Sequence, residues 1–507
     1  MLKASGAMAV ATMSSRLLGM VREMVYYSFM GTGWVNDAFQ YAFTIPNLFR
    51  RLLGEGALTA AFIPVFKEKE KLDGEAEMWR AANAVISGLI ISASAIIALV
   101  MAGISIALAV HQFDEKTTLM LQLLRVMFPY MLLVCLAAAM MGMLNARGHF
   151  FIPAMGATML NVVMIASVFL LAPHFGVHLP KDKQLPVQIF ALAYGVLVAG
   201  VAQAAFQMPT LWRDGFRYAW VSPWGNPTVQ RVVRQMIPGT IGVAAFQINV
   251  ALVQLVALHV GTGIVSSFNG AVRLMELPQG VFGISLATYL LPTLSGLSAE
   301  KNYPEFRSTL RHGLASLIFM NAIACVLLVA LAEPIVRLLF ERGAFSVTST
   351  ARVASALEYL APGLVMFSTV NILARAFYAL GDTKTPMKIS IVCLIINFFA
   401  GAALIFPLQE RGPGLANTFT SALNAGLLFF ALRKKLGKLE MASLRDSLRA
   451  IVPTALAAGV LAWLGWKLWE QHLGHANLAL KIGAVFVPAG IAGGIYWAVA
   501  LAFKIPA

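Results

Sequence analysis

Nine ionisable side chains lie inside stretches of sequence that are otherwise apolar. Arg16, Arg22 and Glu23 fall in the first such stretch and Asp37, Arg50, Arg51 and Glu55 in the second. Arg273 and Glu276 fall in one much farther along. Five of the nine are arginines and four are acids, so guanidinium groups are in excess. A guanidinium is a planar fork of donors that matches phosphate oxygens two at a time, and it stays charged at any physiological pH. Binding of a phosphate or diphosphate is the chemistry this suits; an exporter of cations would show acids in excess. The competing reading is mutual neutralisation. Arg51 and Glu55 are four apart, Arg273 and Glu276 three apart, and Arg16 and Glu23 seven apart, spacings that put both groups on one helix face. Arg22 and Arg50 have no acid at helical spacing.

Nothing else in the chain forms a reactive centre. The eight histidines are scattered without HExxH spacing, and Cys135, Cys325 and Cys393 lie far apart within apolar runs. Gly31-Thr32-Gly33 and Gly261-Thr262-Gly263 are too short for phosphate loops, and no Gly-rich loop ending in Lys-Ser/Thr occurs. No catalytic residue, metal or cofactor is expected. A membrane glycosyltransferase, the natural enzyme rival, would need an outer-face acid cluster or a sizeable external domain. Asp114-Glu115 and the segment 173–186 are poor substitutes.

The elements that must position the charges are membrane helices. Of 507 residues, 59% are hydrophobic and 12% charged, against roughly 25% charged in soluble domains. Apolar runs recur that exceed the roughly 20 residues needed to cross a bilayer, and they are continuous rather than alternating, so they are helices and not barrel strands. The pattern predicts an all-α membrane protein with about fourteen transmembrane helices, at 6–30, 35–66, 82–111, 117–146, 151–173, 187–211, 232–260, 264–297, 306–333, 350–380, 385–407, 412–432, 447–469 and 476–503. The first is expected to be retained as a span, because it carries charges in its middle where a cleaved signal would be purely apolar. The net charge of +15 would suggest nucleic acid in a soluble protein. Here the basic residues cluster in loops after even-numbered helices, the positive-inside pattern, so no nucleic-acid partner is expected and both termini are expected in the cytoplasm. The run from Arg433 to Arg449 reads either as that orientation signal or as a docking site for anionic lipid or a partner.

The chain also repeats itself. Asp37 and Pro46 match Asn269 and Pro278 at an offset of 232, and Pro129, Gly148 and Pro153 match Pro362, Gly381 and Pro386 at 233. Pro64 and Pro292 are 228 apart. Each copy holds six helices, an even number, so the repeat is parallel and the expected architecture is two six-helix lobes at residues 1–225 and 226–438. Helices thirteen and fourteen, residues 439–507, have no counterpart. Two such lobes suggest a rocking transporter with its substrate near the midplane. Charges in mid-membrane cost at least ~2.5 kcal/mol each on the mildest scale, so the arginines are expected to face a watery, protein-lined cavity.

Several segments resemble a known family. Ser15-Arg16-Leu17-Leu18-Gly19 with Arg22, Asn36-Asp37-Ala38-Phe39, and the run from Ile45 to Ala57 through Pro46-Asn47-Leu48-Phe49-Arg50-Arg51 are similar to the MurJ (MviN) lipid II flippases of bacterial peptidoglycan synthesis. So are the run from Arg273 to Gly283, Phe340-Glu341-Arg342-Gly343-Ala344-Phe345, and Gly381-Asp382-Thr383-Lys384-Thr385-Pro386. The resemblance covers essentially the whole chain. It implies the multidrug/oligosaccharidyl-lipid/polysaccharide exporter superfamily, with two six-helix lobes plus two extra helices lining a groove for the substrate's lipid tail. It implies substrate-binding roles for Arg16, Arg22, Arg50, Arg273, Asp37 and Glu55, with Arg51, Glu23 and Glu276 structural or secondary. Val272 stands where some members have an acid. The implied activity is alternating-access transfer of lipid II from the cytoplasmic to the periplasmic leaflet of the bacterial inner membrane. Lipid II and membrane lipids are the implied partners, with the cell-wall synthesis machinery a further candidate. The alternatives are a flippase for another undecaprenyl-linked glycan, a drug exporter of the same superfamily, or a structural scaffold, which the intramembrane arginines argue against.

Overall fold

A computed structural model describes residues 2–52, 57–437 and 442–502, in which every regular element is helical. The α-helices are α1 (Leu2–Met30), α2 (Trp34–Phe49), α3 (Ala57–Leu72), α4 (Gly74–Val110), α5 (Glu115–Met127), α6 (Tyr130–Ala146), α7 (Phe151–Ala166), α8 (Lys181–Arg213), α9 (Pro227–Val260), α10 (Ile264–Pro278), α11 (Ser285–Ala299), α12 (Tyr303–Ala330), α13 (Ala332–Phe340), α14 (Val347–Leu360), α15 (Gly363–Ala379), α16 (Lys384–Leu408), α17 (Arg411–Leu436), α18 (Ala442–His472) and α19 (Leu478–Ala502). The chain is a multi-pass membrane protein. It divides into two compact units, residues 1–251 and 252–507.

Among the described residues, nine helices are long and apolar enough to span a bilayer, or eleven if two bent pairs each count as one span. Eleven of the fourteen expected spans are found in this way; the first, second and eighth, which carry the charged cluster, do not pass the same test of length and apolarity among the described residues. The first, α1, holds Arg16, Arg22 and Glu23. The eighth is helical from Ile264 to Ala299, with a π turn at Gln279–Ile284 joining α10 to α11. In the second, α2 passes into a π turn at residues 50–52, and α3 begins at Ala57.

The π turns follow from proline. Residues 50–52 take a π-helical turn four residues after Pro46, and Gln279–Ile284 take one directly after Pro278. A proline inside a helix has no N–H for the i−4 carbonyl and its ring crowds that carbonyl, so the ladder slips. In the fourth and tenth expected helices the outcome is a bend. Around Pro129, α5 and α6 diverge by 42°, and around Pro362, α14 and α15 diverge by 43°. Pro153 and Pro386 are third residues of α7 and α16, where a missing N–H costs nothing.

The repeat is also visible in how helices end. Gly148 (φ +88°) closes α6, with its N–H bonded to Asn145 O and the His149 N–H to Leu144 O. Gly381 (φ +73°) closes α15, with its N–H bonded to Tyr378 O and the Asp382 N–H to Phe377 O. Both are the same left-handed glycine cap, 233 residues apart. The glycine turns that open α2 and α10 differ in detail: Gly31 is left-handed in the first and Gly263 in the second.

In the first unit α1 packs along α7, α2 along α5, and α8 along both α6 and α7. In the second, α16 and α17 pair, and α18 lies along α12. Ala455, Ala458 and Ala462 let α18 approach closely around Phe319, whose carbonyl accepts a 2.9 Å bond from the Tyr496 hydroxyl of α19. The two C-terminal helices are thus built onto the second unit rather than appended loosely. Cys135 and Cys393 are buried and Cys325 is half-buried, all as thiols.

Candidate anion-binding site

In the first unit the charges sit on α1, on α2 and on the turn that ends α2. Arg22 is 9% exposed and Glu23 8%. They pair with each other at 2.5 Å. The second amino group of Arg22 donates to Asn161 Oδ1 on α7 at 3.0 Å. Asn161 in turn donates to the Ser15 carbonyl at 3.2 Å, so one amide ties two turns of α1 to α7. Gly19 lies between those turns against the same amide, and its missing side chain lets the helices meet. The Tyr26 ring lies 5.4 Å from the Arg22 guanidinium carbon. Arg16 is exposed, two turns back on the same helix.

Arg22 has no acid at helical spacing, yet it finds a partner in the adjacent Glu23. Residues adjacent in a helix point about 100° apart, so spacing rules pass over them. A long guanidinium chain can still curl to its neighbour when burial makes an unpaired charge prohibitive.

α2 is held by aromatic rings. Tyr26 meets Phe39 edge-on at 5.9 Å, Phe39 stacks on Phe43 at 6.2 Å, and Phe43 lies 6.1 Å from Tyr130 on α6. The Tyr130 hydroxyl accepts from Gln203 of α8 at 3.3 Å. Asp37 is fully buried in the first turn of α2. Beyond Phe49, Arg50 and Arg51 are half-buried, and Arg50 Nε donates to Asn47 Oδ1 at 2.6 Å. Glu55 lies outside the described residues, so its expected pairing with Arg51 is not placed.

In the second unit Arg273 and Glu276 form the intrahelical pair that their spacing suggests, at 2.9 Å, with both side chains well exposed. Asn269, the repeat counterpart of Asp37, accepts from Gln254 of α9 at 3.1 Å. The two units thus hold their charges differently. The first buries an ion pair with a neutral amide beside it, and the second leaves its pair open.

Sequence reasoning missed Asn161, Asn47 and Tyr26. Asn161 had a signal, as a lone amide in an apolar helix. Asn47 and Tyr26 act through contacts that spacing does not flag as charged. Among the described residues no group of three or more His, Cys, Asp or Glu could hold a metal ion. Chemically, the arrangement offers forked donors at several depths along α1 and α2, which suits a multiply charged anion rather than a reaction.

Known proteins share this sequence and fold. A family model described as "Lipid II flippase MurJ" matches residues 27–480. A probable lipid II flippase MurJ from Rhizobium tropici is 34% identical over 502 residues, 97% of this chain and 92% of the relative. The lipid II flippase MurJ of Burkholderia cenocepacia is 33% identical over 463 residues, 89% of this chain and 88% of the relative. Among solved structures, a lipid II flippase MurJ in an inward closed conformation matches with a TM-score of 0.77 at 21% identity, covering 97% of this chain and 99% of that one. An inward-facing multidrug resistance MATE family transporter of the MOP superfamily matches at 0.68 and 16% identity, covering 86% and 99%. At those identities the structural likeness speaks to fold.

Proposed function

The chain belongs to the lipid II flippase MurJ family, and from that membership we propose that it moves lipid II from the cytoplasmic to the periplasmic leaflet of the bacterial inner membrane, with both termini cytoplasmic. The head group's diphosphate is gripped by Arg16, Arg22, Arg50 and Arg273. Asp37 and Glu55 set the charge balance, and Arg51, Glu23 and Glu276 act in support. Residues 1–225 and 226–438 act as the two lobes of an alternating-access transporter, and residues 439–507 serve the lipid tail. No bond is made or broken. A diphosphate with about two negative charges gains roughly 4–5 kcal/mol per 100 mV on leaving a negative-inside cell, so the membrane potential can drive the step.

One observation carries this reading. Arginines recur inside the helices of a membrane protein in both units: Arg16 and Arg22 on α1, Arg50 and Arg51 on the turn that ends α2, and Arg273 on α10. A charge within a membrane helix is costly and by default marks a functional site.

The test is direct binding of lipid II to purified variants. Arg50→Ala and Arg273→Ala each remove a charge-assisted contact worth roughly 1.5–3 kcal/mol, so binding weakens about tenfold or more. Arg16→Ala does the same. At Arg22 the variant is Lys, which keeps the buried charge balanced but loses the fork. Variants that reach the membrane at parental levels and bind lipid II as tightly as the parent would overturn the assignment.

A further inference from the structure

The segment between α8 and α9, residues 214–226, is a strap with two unlike faces. α8 ends on a left-handed Gly215 (φ +92°), which turns the chain back along α4. One face of the strap is fixed there. Phe216 is buried against Trp79, with ring centroids 5.5 Å apart. The Asn83 amide donates to the Arg217 carbonyl at 3.0 Å, and Ser87 bonds the Tyr218 hydroxyl at 3.3 Å. The buried Pro223 lies against Gly88. The other face carries Trp220 and Trp224, 62% and 69% exposed.

Depth follows from α4. The stretch from Gly88 to Val110 is about 22 residues and rises about 33 Å, close to the roughly 30 Å hydrocarbon core. Its large exposed side chains are apolar, Leu99, Ile106 and Val110, and the exposed polar Ser92 and Ser94 lie near its Gly88 end. Below Gly88, α4 exposes the charged Glu75, Glu77 and Arg80. Pro223, and with it Trp224, therefore lies at one lipid–water boundary, where indole rings are enriched.

Charge selects what lies there. Arg217 is folded back, donating to the Trp212 and Phe216 carbonyls at the end of α8. Arg231 is committed to Glu68 through two bonds of 2.7 and 2.8 Å. Arg213 and Arg234, which flank the strap, are exposed and form no ion pair among the described residues.

We propose that the strap is a lipid anchor, in which Trp220 and Trp224 enter the interface while Arg213 and Arg234 select anionic phospholipid head groups. With the orientation proposed above, that leaflet is the cytoplasmic one, but the lipid preference itself does not depend on lipid II transfer.

The experiment uses the full chain reconstituted in vesicles that mix phosphatidylglycerol with phosphatidylcholine, one of them brominated near the head group at a time. Brominated phosphatidylglycerol should quench tryptophan fluorescence more than brominated phosphatidylcholine at equal fraction. The difference should shrink clearly in W220F/W224F, which keeps the other seven of the nine tryptophans. In R213Q/R234Q it should shrink by about fivefold per arginine, the equivalent of about 1 kcal/mol each. Melting in detergent confirms that both variants fold, and single-site variants replace any that do not. Equal quenching by the two lipids in the parent overturns the proposal, as does a difference that is unchanged in W220F/W224F. So does a Trp220–Trp224 signal that neither lipid quenches, which would assign the face to a protein partner.

Discussion

The loops after α6 and after α15 have one backbone and opposite electrostatics. Both turn on a left-handed glycine with the same pair of closing hydrogen bonds. In the first unit the next residue is His149, which reaches Asp214 at the end of α8 at 3.0 Å. In the second it is Asp382, which accepts from Lys435 in the last turn of α17 at 2.8 Å. The same join, between the loop and the end of the sixth helix of each copy, is made with the acid on opposite sides. The charged cluster shows the same divergence, with Arg22 buried against Glu23 in one unit and Arg273 open beside Glu276 in the other. Glycines and prolines, which fix backbone shape, repeat; the charges laid over that shape have separated.

The largest effect that could break this contrast lies at the buried pair. Removing one partner of a buried ion pair leaves an uncompensated charge and costs about 3–5 kcal/mol. An open pair is worth about 0–1 kcal/mol. Arg22→Ala should therefore lower the melting temperature in detergent far more than Arg273→Ala. Adding Glu23→Gln to Arg22→Ala should recover a good part of the loss, because the orphan charge is gone. If the two arginine variants melt alike, the first unit does not depend on its pair and the contrast between the units fails.

Much of the backbone half of this comparison was legible in the sequence. The offset of 232–233 residues located the repeat, and it lands on prolines that bend both copies by nearly the same angle. Proline and glycine act through their own covalent geometry, so their positions carry structure without a neighbour being known. The side-chain half was less legible. The Arg273–Glu276 pair could be read because its spacing is local. Arg22 with Asn161 spans 139 residues, and His149 with Asp214 spans 65, so only the packing of α1 on α7 and of the α6–α7 loop on α8 brings them together. The π turns behind Pro46 and Pro278 were not expected either; the eighth helix runs through its π turn from Ile264 to Ala299.

A smaller effect sharpens the shared backbone. An added Cβ at Gly148 or at Gly381 would meet nothing within 4 Å, so crowding does not enter. What remains is the left-handed backbone, which disfavours a side chain by roughly 1–2 kcal/mol. Gly148→Ala and Gly381→Ala should each destabilise the chain by that amount, and nearly equally. A melting series in which one substitution is harmless would show that the two caps are not equivalent.

The smallest effect concerns the two joins, and at Asp382 it bears on pH. The Lys435 ammonium, with the Thr385 N–H and hydroxyl at 3.0 and 2.9 Å, holds the Asp382 carboxyl down at about 2. Its folded value is below the ordinary aspartate value of about 3.9, so its stabilisation is present above that value and is lost as pH falls through about 2. Across any range the protein tolerates, Lys435→Ala should therefore lower the melting temperature by the same modest amount. The first join is a contact of His149 with Asp214 at 3.0 Å, and His149→Ala should lower the melting temperature by a similar modest amount. Exposed pairs are worth about 0.2–1 kcal/mol, so the comparison needs each variant measured against the parent at the same pH. A His149→Ala variant that melts like the parent would mean that the loop is held by its glycine cap alone. A Lys435→Ala effect that fades as pH falls from about 7 to 5 would mean that Asp382 takes up a proton far above the range its partners impose.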